Sequence, residues 1–289
     1  MDFMLQSADL STGKLAYYVA GSGRPLLYLH SAGGVRLAKT LAELAKVNQV
    51  FIPVLPGFDG TEPHKGVATM RDIGKLAAEF IGKVIGGEAI DVIGHSFGGR
   101  AAAWLAVDHP KLVGELILEC PSGFRPPTVP KPSDDPKIVR QQMFAHPERL
   151  PPDEKSPQQA AANRKVAASY HKDVDYESEL VERLSDIQSL TLVLAGTSDG
   201  RVPVEADYLL SERIPDCHLI FVYDAAHNIE VDQPDRFLTV VRSFLDRGKA
   251  FIVNWGEHAV AGIDASTAAS GSSTSRETLA LDSRDHVHF

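Results

Sequence analysis

The sequence predicts an α/β fold, in which a mostly parallel sheet is covered by helices on both faces. Three observations support this prediction. Short apolar runs alternate with longer amphipathic stretches over residues 1–123, and the alternation resumes at residue 189. Several of the short runs are continuously apolar, which is typical of parallel strands buried on both faces. Residues 124–188 instead contain polar helical stretches separated by prolines.

Hydrophobic periodicity and turn residues predict the individual elements. Strands are expected at residues 15–20, 25–30, 49–54, 90–93, 112–118, 190–195 and 218–223. Helices are expected at residues 35–47, 70–85, 100–107, 204–213 and 235–249, with three more at 137–144, 158–172 and 176–184. Because strand and helix alternate, the connections are crossovers and the sheet is doubly wound.

This pattern divides the chain into three parts. Residues 1–123 and 189–249 form the predicted core, and residues 124–188 form a helical cap inserted between two strands. Such an insertion is expected over the carboxyl ends of the strands, where α/β proteins bind ligands. Residues 250–289 are predicted to be a flexible C-terminal extension, because much of it consists of Ala, Ser, Thr and Gly.

Composition limits the classes of partner. The 289 residues include 29 basic and 38 acidic side chains, a net charge of −9, which argues against a nucleic-acid partner. No apolar run reaches the length of a membrane span, and the N-terminus does not resemble a signal peptide. Cys120 and Cys217 lack metal-ligand spacing and are expected to be free thiols, consistent with a reducing compartment, so a cytoplasmic location is the default expectation. Homo-oligomerisation stays open.

The most informative stretch is Gly-His-Ser-Phe-Gly at residues 94–98, between a predicted strand and a predicted helix. A serine in so tight a turn has a strained backbone and an exposed hydroxyl, and the residues two before and two after it must be small. Gly94 and Gly98 meet that condition, and Gly99 allows the helix to approach a neighbouring strand. Ser96 is therefore the candidate nucleophile.

A serine nucleophile needs a base, and the base needs an acid that fixes its tautomer. Asp199 and His227 each follow a predicted strand whose carboxyl end lies at the same sheet edge as Ser96. Taken singly, either residue fits an ordinary turn or core position, but three such loops at one edge favour a Ser96–His227–Asp199 set. Glu119 is the rival acid, because it follows the strand after that of Ser96.

Two other histidines lie close to the predicted site. We expect His30 to brace the glycine-rich turn that follows it, and His95 to point into the body of the protein. An oxyanion hole needs two backbone N–H donors near the serine hydroxyl. Phe97, the residue after the nucleophile, is expected to supply one of them. Ala32, in the glycine-rich turn at residues 30–34, is expected to supply the other.

Taken together, these motifs resemble the α/β-hydrolase family. The likeness extends from about Lys14 to Arg247. Within it the matching motifs are His-Ser-Ala-Gly-Gly at 30–34, Leu-Pro-Gly-Phe-Asp-Gly at 55–60, Gly-His-Ser-Phe-Gly-Gly at 94–99, Ala-Gly-Thr-Ser-Asp at 195–199 and Ala-His-Asn at 226–228. The resemblance implies an eight-stranded, mostly parallel sheet, a cap between the strands ending at Leu118 and beginning at Leu190, and a Ser96–His227–Asp199 triad. Ser31 replaces the glycine usual in the family, and the chain beyond Gly248 has no counterpart there.

The resemblance implies a serine-dependent hydrolase that acts on a small-molecule substrate, a small to medium, partly apolar carboxylic ester or related acyl compound. We expect neither a metal nor an organic cofactor. A serine nucleophile argues against epoxide hydrolase and dehalogenase chemistry, for which the family uses aspartate. The same triad leaves open a carbon–carbon bond hydrolase, a lyase, a perhydrolase or a ligand receptor with slow turnover.

Overall fold

Eight strands form one sheet in the computed structural model, which describes residues 2–150, 155–172 and 174–251. The order across the sheet is β1-β2-β4-β3-β5-β6-β7-β8. Their bounds are β1 Met4–Leu10, β2 Gly13–Gly21, β3 Arg24–Leu29, β4 Asn48–Pro53, β5 Ile90–His95, β6 Val113–Glu119, β7 Thr191–Gly196 and β8 Cys217–Val222. Strands β1 and β2 pair antiparallel, β2 pairs antiparallel with β4, and all other pairs are parallel.

The helices lie between and after the strands along the chain, and several of them follow one another between β6 and β7. Their bounds are α1 Lys39–Leu44, α2 Met70–Phe80, α3 Phe97–Asp108, α4 Pro136–Met143, α5 Pro157–His171, α6 Ser178–Glu182, α7 Val204–Arg213, α8 Ile229–Asp232 and α9 Pro234–Arg247. A π-helical turn, Ile81–Ile85, continues α2. Helix α2 begins in a capping box, because the Thr69 hydroxyl accepts from the Asp72 N–H while the Asp72 carboxylate accepts from the Thr69 N–H.

The centre of the core lies along β3, β5, β7 and helix α3. Every residue of β5 and β7 is buried, as the continuously apolar runs predict. Helix α3 is buried from Phe97 to Val107, so nearly all of its surface is covered by the rest of the protein. Parallel register brings Leu29 beside Gly94, His95 beside Glu119 and Gly196 beside Val222. The loops that follow these strands therefore meet at one edge.

The structure confirms the α/β fold class with eight strands, and α7 has the predicted bounds. The helix predicted at 35–47 is wrong over much of its length, because only Lys39–Leu44 is helical. Before it, Val35 donates its N–H to the Asp59 carboxylate and Ala38 is extended. Strand β1 escaped prediction because its residues are mostly exposed, with only Leu10 buried, so it has no apolar pattern.

The end of the described chain packs on α9. The Phe251 ring lies 5.5 Å from that of Phe244 and 5.8 Å from that of His218, measured between centroids. The extension predicted from residue 250 therefore has its first two residues within the described part, and residues 252–289 lie outside it. Cys120 and Cys217 are free thiols. Among the described residues, no helix is both long and apolar enough to cross a bilayer.

Candidate active site

Ser96 occupies a strained turn between β5 and α3. Its backbone has φ 52° and ψ −107°, a conformation that residues other than glycine rarely adopt. A Cβ at Gly94 would lie 2.5 Å from the Gly98 carbonyl oxygen, and one at Gly98 would lie 2.0 Å from the Leu29 carbonyl oxygen. Neither position has room for a side chain. The small residues predicted from the motif are therefore a steric requirement of this turn.

The three residues predicted to act together are in hydrogen-bond contact. Ser96 Oγ lies 2.9 Å from His227 Nε2, and His227 Nδ1 lies 2.9 Å from Asp199 Oδ2. This network assigns the proton of the neutral imidazole to Nδ1, which donates to the carboxylate, and leaves Nε2 to accept from the serine hydroxyl. Ser96 is 8% exposed and His227 is 3% exposed, so the contact is screened from bulk water.

The Asp199 carboxylate is fully hydrogen-bonded. Oδ1 accepts from the backbone N–H groups of Arg201, at 2.6 Å, and Val202, at 3.0 Å, while Oδ2 faces His227. Burial alone would raise the pKa of Asp199, but the electrostatic attraction and hydrogen bond of the His227 ring, together with the two backbone donors, outweigh it and lower the pKa. Asp199 is therefore ionised and rigidly oriented toward the imidazole.

The loop that carries His227 is held by its own buried contacts. Asp232, in α8, accepts from the N–H groups of Ala226, at 2.8 Å, and Ala145, at 3.0 Å. The His95 ring donates from Nε2 to the His227 carbonyl oxygen at 2.8 Å. Burial lowers the pKa of His95 to about 4, so the ring is neutral at physiological pH. His95 thus points into the body, where it supports the His227 backbone.

Glu119, the rival acid, has a different environment. Its carboxyl is grouped with His95 and Glu230, with ligand atoms of all three within 4.8 Å of one another. Burial, followed by the negative charge of Glu230, raises the pKa of Glu119 well above its usual value. The Glu119 carboxyl is therefore neutral, and it is Asp199 that hydrogen-bonds to His227.

Among the described residues, two groups of side chains have metal-ligand chemistry, and both lie at the candidate site. One is His95, Glu119 and Glu230, and the other is Cys120, Asp199 and His227, again with ligand atoms within 4.8 Å of one another. A metal in the second group would compete for the groups that form the His227–Asp199 hydrogen bond. In the first group, a proton on Glu119 already relieves the repulsion between the two carboxyls.

The two predicted oxyanion donors lie on segments that touch. Phe97 is the first residue of α3, so its N–H is one of the helix N-terminal donors without a partner in the helix. The tight approach of Gly98 to Leu29 and His30 places the turn at residues 31–34 beside the start of α3. His30 braces this turn, because its Nε2 accepts from the Leu55 N–H at 3.1 Å and its Nδ1 donates to the Ser31 carbonyl.

Helices between β6 and β7 contact the loops of the candidate site. At the end of α4, Gln142 accepts from the Gly200 N–H and Met143 accepts from the Asn228 amide, so α4 touches the Asp199 and His227 loops. On α5, Asn163 donates to the Gly33 carbonyl. Sequence reasoning missed Asn163, since a single polar residue in a polar helix carries no signal of burial.

Asp207, on α7, is a buried acid close to the site. It is 4% exposed, and its Oδ1 has no hydrogen-bond partner within the described residues. It lines a cavity of about 300 Å³ together with Asp199, Thr197, Tyr208 and Phe221. Burial, then the charges of Asp199 and Glu205, raise the pKa of Asp207 from 3.8 to about 8.

Because the folded state holds this proton more tightly than the unfolded state, stability should fall as pH rises between the two pKa values. The contribution of one such group is up to about 1.4 kcal/mol per pH unit. We expect the free energy of unfolding of Asp207→Asn to fall less between about pH 5 and about pH 7.5 than that of the wild type. Urea unfolding at several pH values measures this. Asp235→Asn, which changes an exposed acid of α9, is the control. If the free energy of unfolding varied with pH in the same way for the wild type, Asp207→Asn and Asp235→Asn, the prediction would be contradicted.

The sheet, the strained serine turn and the histidine and aspartate loops at the same edge define a hydrolase of the α/β class. The chain belongs to the alpha/beta hydrolase family, whose sequence profile matches residues 21–240. It is 25% identical over 260 residues to 2-hydroxymuconate semialdehyde hydrolase of Pseudomonas sp. strain CF600, a match that covers 81% of this chain and 91% of that protein.

Two solved structures show the same fold at lower identity. A serine hydrolase from Cycloclasticus zankles superposes with a TM-score of 0.70 at 18% identity, covering 85% of this chain and 98% of that chain. The naproxen esterase of Bacillus subtilis superposes with a TM-score of 0.67 at 16% identity, covering 84% of this chain and 92% of that chain. The fold is thus shared by a protein named as an esterase and by one named only as a serine hydrolase.

Proposed function

We propose that this protein is a serine-dependent hydrolase that cleaves a small to medium, partly apolar carboxylic ester through an acyl-enzyme on Ser96. The observation that carries the proposal is the continuous hydrogen-bond chain from Ser96 Oγ through His227 to Asp199. Such a chain activates a hydroxyl that is otherwise a weak nucleophile. The family membership supports hydrolysis as the reaction class.

In this mechanism His227 carries one proton in each half-reaction, first accepting it and then donating it. Nε2 accepts the Ser96 proton as Oγ bonds to the ester carbonyl carbon, and the resulting imidazolium then protonates the departing alkoxide as the C–O bond breaks. A water molecule, deprotonated by the same Nε2, attacks the acyl-enzyme, and the proton returns to Ser96 Oγ as the acid leaves. Asp199, ionised and held by two backbone donors, stabilises the imidazolium throughout.

The tetrahedral oxygen formed in each half-reaction would be bound by the N–H groups of Phe97 and Ala32. Phe97 adds the partial positive charge of the α3 N-terminus. Donors fixed in advance stabilise the charge that develops in the transition state without reorganising, which is worth about 2.7–4 kcal/mol for one donor. Residues 124–188 form the cap in this proposal, since α4 and α5 contact the loops that carry the site.

Carbon–carbon bond hydrolysis is the second candidate. The observation that favours it is the similarity to 2-hydroxymuconate semialdehyde hydrolase, which covers most of both chains. Both reactions break a bond at a carbonyl carbon, so the same nucleophile, base and oxyanion donors serve either. They differ in the leaving group, because a carbon leaving group needs a proton delivered to carbon, whereas an alkoxide accepts one from His227 directly.

A substrate panel tests the proposal and separates the two candidates. The wild type is assayed with p-nitrophenyl esters of increasing acyl length and with 2-hydroxymuconate semialdehyde, each beside Ser96→Ala. We expect Ser96-dependent turnover of the esters with a kcat/KM that exceeds that for the semialdehyde. The reverse order would favour carbon–carbon hydrolysis, and no Ser96-dependent turnover of either would contradict both.

A further inference from the structure

Asn163 is a fully buried polar residue of α5 whose side chain faces the turn at residues 31–34. Its Nδ2 donates to the Gly33 carbonyl at 2.7 Å and to Asp59 Oδ1 at 2.7 Å. Its Oδ1 accepts from the Asp59 backbone N–H at 2.9 Å. Buried amides retain such bonds because a buried polar group without a partner is destabilising. One side chain of the cap therefore holds two separate segments of the core.

Asp59 completes the contact from the other side. Its Oδ2 accepts from the Val35 N–H at 2.8 Å, and Lys155 lies 3.0 Å from its Oδ1. Its backbone is left-handed, with φ 53°, a conformation that aspartate tolerates better than most residues. A Cβ at Gly34 would lie 2.4 Å from Asp59 Oδ1 and 2.5 Å from Asn163 Nδ2, so the turn is packed directly against both side chains.

The two side chains thus hold the turn on both sides of Gly34. Asn163 binds the carbonyl of residue 33, and Asp59 binds the N–H of residue 35. The turn is closed by a hydrogen bond from the Gly34 N–H to the Ser31 carbonyl at 3.0 Å, which leaves Ala32 and Gly33 as its central residues. The direction of the Ala32 N–H follows from the orientation of this turn.

We propose that Asn163 is a positioning residue for the oxyanion hole: together with Asp59 it fixes the turn at residues 31–34, so that the Ala32 N–H is aimed at the developing oxyanion when α5 is docked. This inference rests on the proposed function. It assigns the cap a part in the chemistry as well as in substrate selection. Loss of the contact should weaken binding of the transition state more than binding of the substrate.

The decisive variant is Asn163→Ala, and its matched control is Tyr170→Phe. Tyr170 is also on α5 and also donates one buried hydrogen bond, to the Pro56 carbonyl at 3.0 Å, a carbonyl outside the turn at residues 31–34. With a p-nitrophenyl ester we expect Asn163→Ala to lower kcat about 10- to 100-fold and to change KM less than about threefold. This decrease in kcat is smaller than the decrease expected when a whole oxyanion donor is removed. Tyr170→Phe should keep kcat within about twofold. The Ki of a trifluoromethyl ketone, which forms an oxyanion on the serine, should rise in Asn163→Ala in parallel with the fall in kcat/KM.

Fluorophosphonate titration counts the competent active sites in each sample, so that a folding defect is not mistaken for a rate effect. If Asn163→Ala is poorly folded, Asp59→Asn replaces it, since asparagine keeps the volume but has one acceptor oxygen in place of the two that Asp59 uses. A kcat per titrated site equal to that of Tyr170→Phe would overturn the inference while leaving the proposed function intact. Absence of Ser96-dependent labelling in the wild type would instead overturn the proposed function.

Discussion

Replacement of Ser96 by alanine should lower kcat/KM for ester hydrolysis by about 10⁴- to 10⁶-fold, the effect of removing the nucleophile of a triad. The Ser96 side chain makes no capping hydrogen bond to α3, and its Oγ contact is with His227. The turn is shaped by Gly94 and Gly98, which the substitution leaves in place. The variant should therefore unfold at nearly the wild-type temperature, as measured by calorimetry beside the kinetic assay.

Ser122→Ala is the matched control for this variant. Ser122 donates its backbone N–H to the Ser96 carbonyl at 3.0 Å, and its Oγ has no partner within the described residues. Ser122→Ala removes a hydroxyl near the turn but leaves Ser96, His227 and Asp199 in place. Its kcat/KM should therefore stay within about threefold of the wild-type value. If Ser96→Ala retained more activity than Ser122→Ala, the nucleophile assignment would be wrong.

Replacement of Asp199 by asparagine should lower kcat by about 10⁴-fold. An asparagine amide can present its NH₂ group to His227 Nδ1, which places the imidazole proton on Nε2. That nitrogen then donates toward Ser96 Oγ and can no longer accept the serine proton. The variant also removes the charge that stabilises the imidazolium. Steady-state kinetics with a p-nitrophenyl ester measures the loss.

Glu119→Gln provides the comparison for Asp199→Asn. Glu119 is neutral and grouped with His95 and Glu230, so an isosteric neutral side chain should lower kcat less than about tenfold, well short of the cost of a triad acid. A large loss in Glu119→Gln together with a small loss in Asp199→Asn would reverse the assignment of the acid.

The sequence was sufficient for those features that depend on local pattern. The buried strands, the serine turn and the positions of Asp199 and His227 after their strands all follow from apolar runs and small residues. Local pattern favoured Asp199 but left Glu119 as a rival, because both lie near the carboxyl ends of strands at the same sheet edge. Only the packed geometry, with Oδ2 of Asp199 at 2.9 Å from the imidazole, distinguishes them.

Contacts that join distant parts of the chain could not be predicted in the same way. Asp59 and Asn163 are 104 positions apart, and neither residue type signals burial or pairing. Residues 35–38 are not helical, and the Val35 N–H donates to the Asp59 carboxylate. The missed helix boundary and the missed positioning residue therefore both lie at contacts of Asp59 with distant parts of the chain, which a local pattern does not show.

Intact-mass spectrometry after exposure to a fluorophosphonate probe tests whether Ser96 is an activated nucleophile. The wild type should gain the mass of one adduct, and Ser96→Ala should gain none under the same conditions. The same adduct on Ser96→Ala, or no adduct on the folded wild type, would contradict this role of Ser96.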